Sequence, residues 1–248
     1  MKNISISLKK GWKIIVSKNK YGLKIEELIM EKQRHPAKYT DSFIPIFYER
    51  LKDTRNVLDP FAGTGKIGML KNYGYNGKIY ANEIEPEWLS DNEYNCDVLT
   101  YQDAEFLNYP SNYFDAICTS PTYGNRMADH HNAKDGSVRN TYTHCLGKQL
   151  KDGNTGKMQW GNEYRDKHKR IYAHLSDLLV TNGLFVINVK NHIRKGVEID
   201  VVDFHRNLIE SLGFELLYLD YIKTSGLKYG NNSDRRVDGE YILTFMKG

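Results

Sequence analysis

Apolar residues recur along the chain in two periods, and the alternation between those periods predicts the fold. Val57-Leu58 ahead of Phe61, Lys78–Asn82, Cys96–Thr100, Phe114–Thr119 and Leu184–Val189 are short apolar-rich runs of the kind buried strands present. Between them the apolar positions fall at helical spacing. Ile44, Phe47, Tyr48 and Leu51 make one such face, and Ile171, Leu175 and Leu178, with Tyr172 and Leu179, make another that Asn182-Gly183 breaks. Helices are also predicted over Lys66–Tyr73 and over Val201–Leu212, the latter stopped by Gly213. Phe214–Ile222 and Glu240–Met246 read as a closing antiparallel pair. Strands alternating with helices, followed by a hairpin, predict a doubly wound α/β sheet. Ahead of it, Ile4, Ile6 and Leu8, then Ile14 and Val16, alternate weakly and predict a hairpin or a loose arm, while Ile25–Gln33 predicts a short helix.

The sharpest local signal is Val57-Leu58-Asp59-Pro60-Phe61-Ala62-Gly63-Thr64-Gly65, a strand breaking into a glycine turn ahead of a helix. Gly63 and Gly65 permit positive φ and let a ligand approach the backbone where a Cβ would collide. Gly63, Gly65 and Gly68 satisfy GxGxxG, and no GxxxxGK[ST] is present. Asp59 at the strand end opposes a pyrophosphate ligand and suits one carrying an amino group or another positive centre. The next strand ends in Asn82-Glu83-Ile84, which places an acid where it can bind both ribose hydroxyls of an adenosine.

Composition narrows the class without naming it. The 248 residues fit one domain or one domain with an insertion, and shares of 40% apolar and 27% charged are ordinary for a globular protein. A net charge of +4 permits a nucleic-acid partner without requiring one. Cys96, Cys118 and Cys145 form no C-x-x-C, which points to reduced thiols and a cytoplasmic setting. Lysines break the apolar positions of the first twenty residues, so neither a signal peptide nor a membrane segment is expected. His130, His131, His144 and Cys145 match no zinc spacing, and no metal is expected.

Phe114–Thr119 runs directly into Ser120-Pro121-Thr122-Tyr123-Gly124. D-P-F-A-G-T-G followed by S-P-T-Y resembles the S-adenosylmethionine-dependent DNA amino-methyltransferases, which act on cytosine N4 or adenine N6. Those enzymes pair a glycine-rich motif with a catalytic (D/N/S)-P-P-(Y/F/W) motif. The resemblance implies a Rossmann-like class I methyltransferase fold, a mostly parallel seven-stranded sheet with an antiparallel terminal hairpin, and S-adenosylmethionine as cofactor. It implies that Asp59, Phe61, Gly63, Gly65, Glu83 and Ile84 hold the cofactor. His35-Pro36-Ala37-Lys38-Tyr39 is similar to the family segment that closes over the methionine end, which adds Lys38. Asp103 either accepts from the adenine amino group or makes an Asx-turn. Ser120 and the Pro121 carbonyl would accept from the target amino group and Tyr123 would stack on a flipped base. The second proline of the family motif is Thr122 here, which removes one source of stiffness from the turn.

Residues 124–165 make a polar stretch far longer than an ordinary connection, with Arg126, Arg139, Lys148 and other basic residues interleaved with Tyr142, Trp160 and Tyr164. Basic and aromatic residues together suit an extruded strand. Thr122, Asn125, Arg126, Arg139 and Lys148 are therefore the candidate substrate contacts. Lys223–Asp238, with Lys228, Tyr229, Arg235 and Arg236, is either a second phosphate contact or a solvated loop. Three readings remain open at this point: a DNA amino-methyltransferase, an RNA amino-methyltransferase, and a nucleic-acid-binding module without turnover.

Overall fold

The computed structural model describes residues 4–8, 12–19, 22–30, 35–36, 39–124, 141–194, 196–224 and 237–248. The chain divides into two compact units, Met1–Arg34 and His35–Gly248.

The first unit is an antiparallel sheet of β1 (Ile4–Leu8), β2 (Trp12–Asn19) and β3 (Gly22–Met30). Of the two expectations for the first residues, β1 and β2 form the hairpin, paired from Ile4 opposite Val16 to Leu8 opposite Trp12. The helix expected over Ile25–Gln33 is instead β3. A register shift puts Val16 opposite Ile25 but Ile15 opposite Glu27, so Glu26 is an extra residue in the ladder. That bulge gives Ile25, Leu28 and Ile29 a helical spacing inside a strand.

In the second unit, β4 (Asn56–Asp59), β5 (Lys78–Asn82), β6 (Val98–Thr100), β7 (Phe114–Thr119), β8 (Leu179–Val189), β11 (Phe214–Lys223) and β12 (Gly239–Lys247) form one sheet in the order β11-β12-β8-β7-β4-β5-β6. The β4–β5, β5–β6, β4–β7 and β7–β8 pairs are parallel. Only β12, antiparallel to both β8 and β11, runs against the others. A separate short hairpin joins β9 (His192–Arg194) to β10 (Val197–Ile199).

Strand alternation sorts the apolar residues into two cores, one on each face. Val57, Ile79, Ala81, Ala116, Cys118, Val186 and Ile242 pack with α1 (Ile44–Leu51) and the 3-10 helix Lys66–Tyr73. Trp88 of α2 (Pro86–Leu89) and Tyr142 and Leu146 of α3 (Tyr142–Leu146) make a small third core with Leu150. On the other face of the sheet, Leu58, Tyr80, Ile117, Phe185, Ile187, Leu243 and Phe245 pack with α4 (Asn162–Leu178) and α5 (Val201–Ser211). The buried stripe of α4 is Tyr164, Lys167, His168, Ile171, Tyr172, Leu175 and Leu178, one unbroken helical face whose first half is polar. Asp200 caps α5 by accepting from the Asp203 N–H at 3.0 Å. The order in which strands are added to the sheet reverses between β4 and β7, which opens a crevice at the carboxyl ends of those two strands.

Candidate active site

Asp59 ends β4 with 1% of its surface exposed. Its Oδ1 accepts from the Phe61 N–H at 3.1 Å and from the Thr119 hydroxyl at 2.6 Å, so one carboxylate ties the ends of β4 and β7 together across the crevice. Burial pushes its pKa up to about 7, against the opposing pull of those two hydrogen bonds.

The chain then turns through Gly63 at φ 55° and Gly65 at φ 78°. A Cβ on Gly63 would sit 3.3 Å from the His35 ring, and one on Gly65 would sit 3.0 Å from Leu89 Cδ1. Glu83 closes the turn from the end of β5. Its Oε2 accepts from the Gly63 N–H and its Oε1 from the Glu85 N–H, each at 3.0 Å. Burial again dominates and raises the Glu83 pKa to about 7.

One cavity of about 290 Å³ lies over this turn. His35, Pro36, Tyr39, Phe61, Gly63, Glu83, Ile84 and Asp103 line one part, and Ser120, Pro121, Thr122, Tyr123 and Glu240 the other. Two motifs separated by more than fifty residues in sequence therefore share a single space. Asp59 and Gly65 shape the turn beneath it and are not lining residues.

At the second part, the Ser120 hydroxyl donates to Asn188 Oδ1 at 3.1 Å, and Tyr123 donates to the same oxygen at 3.1 Å. Ser120 Oγ and the Tyr123 hydroxyl are 3.0 Å apart. Asn188 is fully buried on β8, and its amide nitrogen donates to the Tyr241 carbonyl at 3.3 Å, which turns Oδ1 toward Ser120. The serine proton is thus engaged, leaving the Oγ lone pairs to accept from a ligand. Burial, then the Glu240 charge, hold the Tyr123 phenol well above its ordinary pKa, so it stays neutral. Glu240 Oε2 is 3.5 Å from the Tyr123 hydroxyl and its Oε1 is 3.8 Å from Lys190. Sequence reasoning singled out neither Asn188 nor Glu240. The one available signal was an asparagine inside the apolar run Leu184–Val189.

Asp103 does two things. Its Oδ1 caps the short 3-10 turn Ala104–Phe106 by accepting from the Glu105 N–H at 3.0 Å, and its Oδ2 accepts from Lys167 at 2.7 Å. Lys148 does not line the cavity; it is paired with Glu87 at 2.6 Å and is 3.6 Å from the buried Glu85. Lys38, Asn125, Arg126 and Arg139 lie outside the described residues, as do Lys228, Tyr229, Arg235 and Arg236. Of the three aromatics in the long stretch, Tyr142 is a buried lining residue and Tyr164 is fully buried on α4, so neither is free on the surface to stack on a strand. Among the described residues no group of three His, Cys, Asp or Glu could hold a metal, and no helix is long and apolar enough to cross a membrane.

Neither a family model nor a curated protein matches this chain. Solved structures do match it in fold. A S-adenosylmethionine-dependent methyltransferase from Methanosarcina mazei aligns with a TM-score of 0.53 at 11% identity, covering 82% of this chain and 97% of its own. A protein described as a sarcosine dimethylglycine methyltransferase from Galdieria sulphuraria aligns at 0.51 and 10%, covering 86% and 93%. The 4+2 cyclase SpnF aligns at 0.52 and 15%, covering 84% and 81%. Strand order, the single antiparallel insertion and these alignments agree: the chain has the Rossmann-like fold of class I methyltransferases.

Proposed function

We propose that the protein is a S-adenosylmethionine-dependent methyltransferase acting on an exocyclic amino group of a DNA base, cytosine N4 ahead of adenine N6. The observation that carries this reading is the shared cavity, which sets the glycine turn and Glu83 against Ser120 and Tyr123. The cofactor fits the residues present. The Gly63 turn is a cradle that a Cβ would crowd, and the two Glu83 oxygens each accept one backbone bond and keep lone pairs for ribose hydroxyls. Bound there, the cofactor supplies an electrophilic methyl group on a sulfonium.

The rest is positioning. An amino group on a base has its lone pair delocalised into the ring and attacks poorly until hydrogen bonds from its N–H groups turn that pair outward. Asn188 Oδ1 accepts the hydrogen bond that Ser120 donates, which leaves the Ser120 lone pairs free to accept. Tyr123 offers its ring beside that acceptor. In that geometry the amino nitrogen would receive the methyl group that a bound cofactor supplies, and the surplus amino proton would leave to solvent. A serine at the head of the motif resembles the cytosine-N4 branch of the family.

One observation favours a second reading. The Glu240 carboxylate beside Tyr123 suits a base edge carrying two adjacent donors, as guanine does with N1–H and its amino group. Methylation of guanine N2 in RNA is that alternative.

Incubation with labelled S-adenosylmethionine and mixed DNA or RNA, followed by digestion and mass identification, tests both. N4-methylcytosine or N6-methyladenine from DNA supports the leading reading, and N2-methylguanine from RNA the alternative. Cofactor binding without product from either substrate would leave a binding module. Absence of binding by calorimetry would remove the methyltransferase reading altogether.

A further inference from the structure

A chain of buried hydrogen bonds runs from the core to the S-P-T-Y turn. The Tyr164 hydroxyl donates to the Thr122 carbonyl, and the same oxygen lies 2.9 Å from His205 Nε2. His205 Nδ1 lies 2.7 Å from the Tyr172 hydroxyl. Tyr164, Tyr172 and His205 are each 0% exposed.

Donor counting fixes the direction. A carbonyl only accepts, so Tyr164 spends its one proton on Thr122 and must accept from His205 Nε2–H. Burial, then the neighbouring His168, hold His205 well below the ordinary histidine pKa, so the ring is neutral and its Nδ1 has no proton. Tyr172 therefore donates to Nδ1. Each member has one proton and gives it toward the turn.

A core at this place needs only volume. Burying two phenols and an imidazole carries a desolvation cost that apolar residues of the same size avoid, unless every group is paired. The set ends on one outside acceptor, the carbonyl of the residue that stands where the family motif has its second proline. From another direction the Thr122 hydroxyl donates to Thr155 Oγ1 at 2.9 Å, and Thr155 is 3% exposed. Thr122 is thus held at backbone and side chain by two groups, both from the stretch that follows the motif.

We infer that Tyr164 is a positioning residue, which with His205 and Tyr172 behind it supplies through hydrogen bonds the turn stiffness that a second proline would supply covalently. This rests on the methyltransferase reading for its effect on turnover, though not for its effect on the turn. Pinning the Thr122 carbonyl blocks rotation of the peptide leading into Tyr123, and so holds the Tyr123 ring and Ser120 in one mutual geometry. Part of the polar stretch expected to serve recognition alone would then serve to make the catalytic turn rigid.

The test compares Tyr164→Phe with Tyr164→Phe/Thr122→Pro by kcat, KM, cofactor Kd, and amide hydrogen exchange of the 119–124 segment. Tyr164→Phe keeps the ring and loses the clamp. It should lower kcat by about tenfold to 100-fold, the cost of a loosened reacting geometry, with cofactor Kd within about twofold. Exchange at Tyr123 and Gly124 should quicken. Adding Thr122→Pro should restore kcat to within about threefold of wild type and slow exchange again, since proline fixes φ. Unchanged kcat and exchange in Tyr164→Phe would overturn the inference, as would a folded double variant that stays slow. If wild type transfers no methyl group, the exchange measurements alone decide the clamp, and the functional reading fails separately.

Discussion

Two carboxylates at the candidate site, the buried Asp59 and the partly buried Glu83, have only hydroxyl or backbone donors as their hydrogen-bond partners. Burial raises Glu83 from 4.5 to about 7, so the folded protein binds a proton there that the unfolded chain has already released. Stability from this group is complete below the unfolded pKa and is lost as pH rises through the folded one, up to about 3 kcal/mol across that window. Asp59 acts in the same sense. His168, depressed by burial to about 4, and His205 act oppositely, gaining stability as pH rises toward 6.5. A pH scan of wild type alone therefore mixes the two. The difference between wild type and Glu83→Gln isolates the carboxylate: from pH 5 to 7.5 the variant's thermal midpoint should gain on wild type by several degrees. A constant gap would mean that Glu83 is ionised throughout. Nearby, Tyr123→Ala should abolish methyl transfer while leaving cofactor affinity intact, because stacking on a base is worth about 1–3 kcal/mol and also positions it. Full activity in that variant would show that S-P-T-Y is not the catalytic turn.

Local patterns were readable where the buried positions were apolar and obscure where they were polar. The strands at β4, β5, β7, β11 and β12 and the helix α1 follow from periodicity, whereas β8 was read only from Leu184: Leu179 and Asn182-Gly183, expected to belong to the helix and to stop it, lie inside the strand. Of α4 only the half from Ile171 onward was legible, because Tyr164, Lys167 and His168 continue its buried face with polar side chains. Lys167 is buried because Asp103 and Glu105 receive it at 2.7 Å each, a pairing no sequence window reveals. β3 was misread because a bulge imitates helical period. The glycine motif was read correctly as a turn, yet Gly68 does not line the cavity. A Cβ there would meet the Tyr94 carbonyl oxygen at 2.0 Å. Gly68→Ala should therefore destabilise the protein by about 1–3 kcal/mol through overpacking, seen as a lower midpoint in urea. An unchanged midpoint would mean that the segment around Tyr94 yields freely.

The expected grip on a polyanion rests on Arg126, Arg139 and Lys148, of which only Lys148 is among the described residues. Lys148 is already paired with Glu87, whereas Arg126 and Arg139 were expected to face phosphates. If the stretch after the catalytic turn binds nucleic acid, changing Arg126, Arg139 and Lys148 together to Ala should flatten the dependence of affinity on salt, by about 0.9 for each duplex DNA phosphate that is no longer neutralised. Lys148→Ala alone should change that slope little. An unchanged slope in the triple variant would put the binding surface elsewhere. The sheet order has a different bearing, on how the protein comes to exist during synthesis. β12 is the last-made of the seven strands, yet it lies inside the sheet, between β8 and β11. It brings Glu240 to the cavity and the Tyr241 carbonyl that orients Asn188. If β4 through β8 fold around the glycine turn as the chain emerges, Asn188 still lacks the Tyr241 carbonyl that orients it toward Ser120 until β12 has left the ribosome and inserted. Cofactor recognition would thus mature before catalytic competence, and a chain stalled short of Glu240 would be a sink for cofactor rather than a catalyst.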